Sequence, residues 1–127
     1  MFLILRSEDH QVLEKIFDWL SRDQQCWLAT IVNTVGSSPR PIGSLLAFNK
    51  ESELVGSISG GCIEEDLIDR VKSGRIKEIG SDMFEFGVTA EENERLGLPC
   101  GGVVKVFVQA LDRSSDLSWI EEVVQSL

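Results

Sequence analysis

The stretch Gly56-Ser57-Ile58-Ser59-Gly60-Gly61-Cys62-Ile63-Glu64-Glu65-Asp66-Leu67 decides how the chain is read. Leu54 to Ile58 enters it as a short apolar strand, the glycines break the strand, and Ile63, Leu67, Ile68 and Val71 then recur at helical spacing. A helix therefore starts at about Cys62. Glycines at such a junction allow positive φ and let a ligand lie against the backbone, and the helix points its free N–H groups at the same place. A helix N-terminus favours the thiolate, which is the form that attacks, carries sulfur or binds metal. The charges of Glu64, Glu65 and Asp66 oppose an ionised sulfur nearby, so two effects compete at Cys62. Glu64, two residues from the thiol, is a candidate general base sharing the glycine pocket; the other acids read as a solvated face.

Upstream, the polar turn Asn49 to Glu53 separates this strand from another at Ser44 to Phe48, which predicts a hairpin between Ser44 and Ile58. Before it, Asn33 to Gly43 is a loop in which two hydroxyls, Ser37 and Ser38, stand beside an arginine held between Pro39 and Pro41. The fixed φ of the prolines lowers the entropy lost when Arg40 engages a ligand, and the group suits a phosphate or carboxylate. The competing reading is a plain turn. Cys26 to Val32 is almost continuously apolar, as for a strand covered on both faces, so Cys26 is expected to be buried and inert. Val12, Leu13, Ile16, Phe17 and Leu20 form the stripe of a packing helix from about Glu8 to Arg22, with His10 solvated in its first turn.

Downstream, Gly74 closes the helix, and Arg75 to Gly80 and Asp82 to Phe86 alternate as half-buried strands or a hairpin would. Val88 to Leu98 is acidic and reads as irregular or a short helix. Pro99-Cys100-Gly101-Gly102 again sets a cysteine beside two glycines, at the mouth of a strand from Val103 to Ala110. Leu117, Ile120, Val124 and Leu127 predict a last helix from about Asp116. It lacks a capping glycine and follows the last motif, so its apolar stripe is expected to be poorly covered by this chain alone. Either it packs back on the same domain or it joins a second copy or a partner subunit, and self-association into a homo-oligomer is the favoured of these. Helical stripes alternating with strand-like runs indicate a single α/β domain, a mixed twisted sheet with packed helices.

With 127 residues, 43% hydrophobic and 26% charged, the chain suits one folded domain. Its net charge of -9 argues against nucleic acid, whose phosphates need a basic face. The apolar start, Met1 to Leu5, is too short for a signal peptide or a membrane span, which gives a cytoplasmic reading without a membrane partner. Three cysteines and no CxxC support neither a disulfide framework nor a common zinc pattern.

Gly36-Ser-Ser-Pro-Arg-Pro at 36–41, Gly56-Ser-Ile-Ser-Gly-Gly-Cys-Ile-Glu at 56–64 and Gly97-Leu-Pro-Cys-Gly-Gly at 97–102 resemble, in this order and spacing, the N-terminal domain of the XdhC/CoxI family over roughly residues 10–112. The resemblance implies a maturation factor for molybdenum hydroxylases of the xanthine dehydrogenase or carbon monoxide dehydrogenase type. Such a factor binds the molybdenum cofactor transiently, protects it during sulfuration and helps insert it, with the target hydroxylase and a sulfur-donating cysteine desulfurase as partners. The resemblance points to an accessory protein more than to a turnover enzyme, without deciding between them. On this reading Ser37, Ser38 and Arg40 hold the anionic end, Gly60, Gly61, Gly101 and Gly102 let the ligand lie against backbone, and Cys62 or Cys100 meets the metal or the incoming sulfur. Residues 1–112 form the domain, and 113–127 are a C-terminal helix that starts a link to a Rossmann-like domain carried by the family. Where the family ends its last strand in an acid, this sequence has Gln109. Two other classes of function stay open: a thiol enzyme using Cys62 with Glu64 as base, and an acidic protein-interaction module.

Overall fold

The computed structural model describes residues 7–36, 40–59, 62–87, 94 and 102–127. Among them the order is α1 (Ser7–Ser21), β1 (Cys26–Val35), β2 (Leu45–Phe48), β3 (Leu54–Gly56), α2 (Cys62–Lys72), β4 (Ser81–Phe86), β5 (Val103–Leu111) and α3 (Arg113–Gln125). The strands form one sheet in the order β3-β2-β1-β5-β4. The α/β architecture is as the periodicities predict; the sheet, expected to be mixed, is antiparallel at each of these pairings.

Period-two alternation explains how the sheet carries helices on both faces. Trp27, Ala29 and Ile31 of β1, with Val104, Val106 and Val108 of β5, face one core, which α2 closes with Ile63, Leu67, Ile68 and Val71. Cys26 and Leu28, with Ala47 and Leu111, face the other, which α1 closes with Val12, Leu13, Ile16, Trp19 and Leu20. β1 is thus covered on both faces over its first half, and Cys26 is fully buried as its setting predicted. Trp27 stacks on Phe48 with ring centroids 5.9 Å apart. The guanidinium of Arg70, bonded to Asp66 at 3.0 Å, lies 5.3 Å from the Phe84 ring and 5.0 Å from the Phe86 ring, tying α2 to β4.

The hairpin is present as β2 and β3, with Leu46 opposite Gly56. Its turn is held by buried Asn49, whose side-chain oxygen accepts from the amides of Glu51 and Glu53. The expected strand over Arg75–Gly80 does not form. That segment is held by long-range side chains instead: Trp27 donates its indole N–H to the Lys77 carbonyl at 3.0 Å, and Gln25 donates to the Glu78 carbonyl.

The last helix starts earlier than expected, at Arg113, because Asp112 caps it: the Asp112 carboxylate accepts from the Ser115 amide at 2.8 Å, and Asp116 reaches back to the Asp112 amide at 3.0 Å. Nor is it poorly covered. Ile120 is fully buried, and Leu117, Val123 and Val124 pack with it in the core formed by α1. The ground on which this helix suggested self-association is therefore removed. The reading of Val88 to Leu98 falls outside the described residues, Glu94 apart.

Candidate functional site

The pairing registers fix the levels at which the described ends of the motif-bearing segments leave the sheet. β1 runs out to Val35, opposite Val103 at the start of β5, so Gly36 and Gly102 leave neighbouring strands side by side. β3 ends at Gly56, level with Leu46 and, through it, Ala29. Gly56 and Val103 are therefore offset by six residues of β1, roughly 20 Å along the strand direction. From Arg40 the described chain returns to β1 part-way along it, with the Gly43 amide on the Ile31 carbonyl at 2.8 Å and the Ser44 carbonyl accepting from the Ile31 amide at 3.0 Å. Arg40 reaches the second motif, donating from Nε to the Ser57 hydroxyl at 3.4 Å.

Glu64 organises the second motif. It sits in the first turn of α2 and is only 3% exposed. Its Oε2 accepts from the Ile58 amide at 3.0 Å, the Ser59 amide at 3.1 Å and the Ser57 hydroxyl at 3.1 Å, while Oε1 accepts from the Ser59 hydroxyl. Ser59 Oγ in turn accepts from the Ile63 amide at 3.0 Å, satisfying a donor in the first turn of α2. This is a capping box in an enlarged form: the usual serine-to-glutamate spacing of three becomes five here, with Gly60 and Gly61 between the partners in sequence. Burial would raise the Glu64 pKa, but the Ser59 hydroxyl and the converging amides, those of Ile58 and Ser59 among them, more than reverse this and hold it below its ordinary value.

That geometry changes the expected role of Glu64. A general base needs a carboxylate poised near the working pH with lone pairs directed at a substrate proton. This one is acidic and directed at the loop. Its work is to hold Ser57 to Ser59 against the helix, and the thiol-enzyme reading loses its base.

Cys62 is the first residue of α2 and is exposed, as the junction predicted. Cys26 is the opposite case: burial, with the Asp116 carboxylate adding to it, pushes its thiol up to about 12. A bulky thiol reagent should therefore label Cys62 in the native protein and leave Cys26 untouched until unfolding, read by peptide mapping. Labelling of Cys26 at the native rate of Cys62 would contradict this arrangement.

Arg40 is exposed, and Gly102 is buried immediately before β5. Ser37, Ser38, Gly60, Gly61, Cys100 and Gly101 lie outside the described residues, as does the expected approach of the Cys62 and Cys100 sulfurs. Ser57 and Ser59 escaped the sequence reading; the signal that could have found them is a serine pair ahead of a helix with a glutamate in its first turn. Among the described residues no group of three or more His, Cys, Asp or Glu is placed to hold a metal ion.

The XdhC and CoxI family profile matches residues 19–87. The chain is 31% identical over 99 residues to a probable xanthine dehydrogenase subunit of Bacillus subtilis, a match covering 76% of this chain and 30% of that protein. It is 27% identical over 120 residues to the molybdenum cofactor insertion chaperone PaoD of Escherichia coli, covering 87% and 35%. It superposes with a TM-score of 0.70 and 26% identity on a crystal structure of a xanthine dehydrogenase from Bacillus halodurans, covering 91% of this chain and 34% of that one. The chain thus spans about a third of the length of these relatives.

Proposed function

Since the chain belongs to the XdhC and CoxI family, we propose that it binds the molybdenum cofactor transiently and assists its insertion into a molybdenum hydroxylase of the xanthine dehydrogenase or carbon monoxide dehydrogenase type. The cofactor is cargo, sheltered while its terminal sulfur is added from a cysteine desulfurase and then passed on in the cytoplasm. The observation that carries this reading is the joining of Arg40 to the head of α2 through Ser57, on the helix whose first residue, Cys62, is exposed. A cargo with a phosphate at one end and a sulfur-ligated metal at the other calls for a cation and a soft ligand on one surface. Ser37, Ser38, Gly60, Gly61, Gly101 and Gly102 would complete the cradle, with Cys62 or Cys100 meeting the metal or the incoming sulfur. We assign binding to residues 1–112 and treat 113–127 as a helix docked on α1. Among the described residues no helix is long and apolar enough to cross a membrane.

Mixing the purified chain with molybdenum cofactor and following co-elution tests the reading. Arg40→Ala should weaken binding about 10- to 100-fold, the worth of one charge-assisted contact. As a change at an exposed position it should leave folding stability within about 0.5 kcal/mol. Lost stability with unchanged affinity would assign Arg40 to the fold and remove the proposed anion contact.

A further inference from the structure

We propose that Ser57 is a positioning residue: its hydroxyl couples Arg40 to Glu64, so that the arginine of the first motif and the thiol-bearing helix of the second form one anion-binding unit. This rests on the cofactor-binding reading and names the part of the site that recognises the anionic group.

The argument starts from hydrogen-bond direction. An arginine Nε can only donate, so at 3.4 Å Ser57 Oγ is its acceptor. The single hydroxyl proton of Ser57 is then directed to Glu64 Oε2 at 3.1 Å, since a carboxylate can only accept. The hydroxyl thus links the cation to the anion. The serine is the fixed member, because the chain is gripped on both sides of it. Gly56 is packed between the Leu45 carbonyl and the Val12 side chain, and Ile58 is fully buried with its amide on Glu64. Arg40, exposed on its loop, comes to this fixed hydroxyl. A bond at Nε sets the plane of the guanidinium, which decides how the group meets a phosphate or carboxylate in two-point contact. The arginine–serine step is the longer of the two, as catalytic and binding contacts often are before a ligand tightens them.

On this account Ser57→Ala leaves the charge of Arg40 in place and removes its orientation. The test is a double-mutant cycle on molybdenum cofactor affinity, using the full chain. Ser57→Ala should weaken binding about 3- to 10-fold, Arg40→Ala about 10- to 100-fold, and the double variant no more than Arg40→Ala alone, while Ser57→Thr, which keeps the hydroxyl, stays near wild type. A second readout needs no cofactor: the Arg40 Nε–H resonance should be protected from solvent exchange in wild type and lose that protection in Ser57→Ala. Additive losses of affinity, or protection that Ser57→Ala does not change, would overturn the coupling. Wild-type protein that fails to bind the cofactor would instead overturn the functional reading on which the coupling rests.

Discussion

Glu64→Ala should destabilise the domain by about 2–4 kcal/mol, because it leaves the buried amide of Ile58 and the part-buried amide of Ser59 without their acceptor. Chemical denaturation measures the loss. Glu64→Gln should cost about half as much, since its single carbonyl oxygen can still take both amides while the charge assistance is lost. A general base would behave differently, with its alanine variant near wild-type stability and the whole effect in turnover.

The same residue gives a pH dependence with a definite sign. The folded pKa of Glu64 lies below the ordinary 4.5, so the unfolded chain takes up this proton first as the pH falls. The stability contributed by Glu64 is complete above pH 4.5 and is lost as the pH falls through the folded value. Asp18, through Arg22 and Lys15, and Asp112, through its helix cap, are also held below their ordinary values and add to the acid limb of the wild type. The difference between wild type and Glu64→Gln isolates Glu64: the two stability curves should keep a constant separation above pH 4.5 and converge as the pH falls below it. Curves that stay equally separated as the pH falls below 4.5 would show that the loop does not hold this carboxylate ionised.

What the sequence made legible was the part encoded locally. The start of α2 at Cys62 could be read because a glycine pair and a helical stripe fall within one dozen residues. β1 could be read because an unbroken apolar run of strand length belongs in the middle of a sheet covered on both faces. Arg75–Gly80 misled because Ile76 and Ile79 imitate strand alternation. Ile76 is buried and Ile79 is 83% exposed, and the carbonyls between them are bound by side chains about 50 residues away in sequence. Nothing in a local window reports such a contact. The role of Glu64 was hidden for a related reason: its partners lie five to seven residues back, beyond the spacing by which a capping box is recognised. The meeting of the first two motifs through Ser57 depends on β1, β2 and β3 being in register, which no single motif reveals.

Gly56→Ala should be the most damaging single change in the motif, costing about 3–5 kcal/mol from combined backbone strain and overpacking. The sequence reading assigns ligand contact to Gly60 and Gly61 and leaves Gly56 within a strand. Gly56 makes room for the protein itself. It has φ of +94°, and a Cβ at this position would come within 2.3 Å of the Leu45 carbonyl oxygen and 2.8 Å of Val12 Cγ2. The oxygen belongs to the strand paired with β3 and cannot retreat without breaking the hairpin. Gly74→Ala separates the two contributions, because Gly74 has a comparable φ of +78° but nothing within 4 Å of its Cβ position. It should cost only about 1–2 kcal/mol of conformational strain. Equal losses at the two glycines, measured by chemical denaturation, would mean that the contact with Leu45 contributes nothing. If Gly56 costs more, weakened cofactor binding in a Gly56 variant is to be read through Ser57: the next residue in the chain has lost the strand end that fixes its hydroxyl between Arg40 and Glu64.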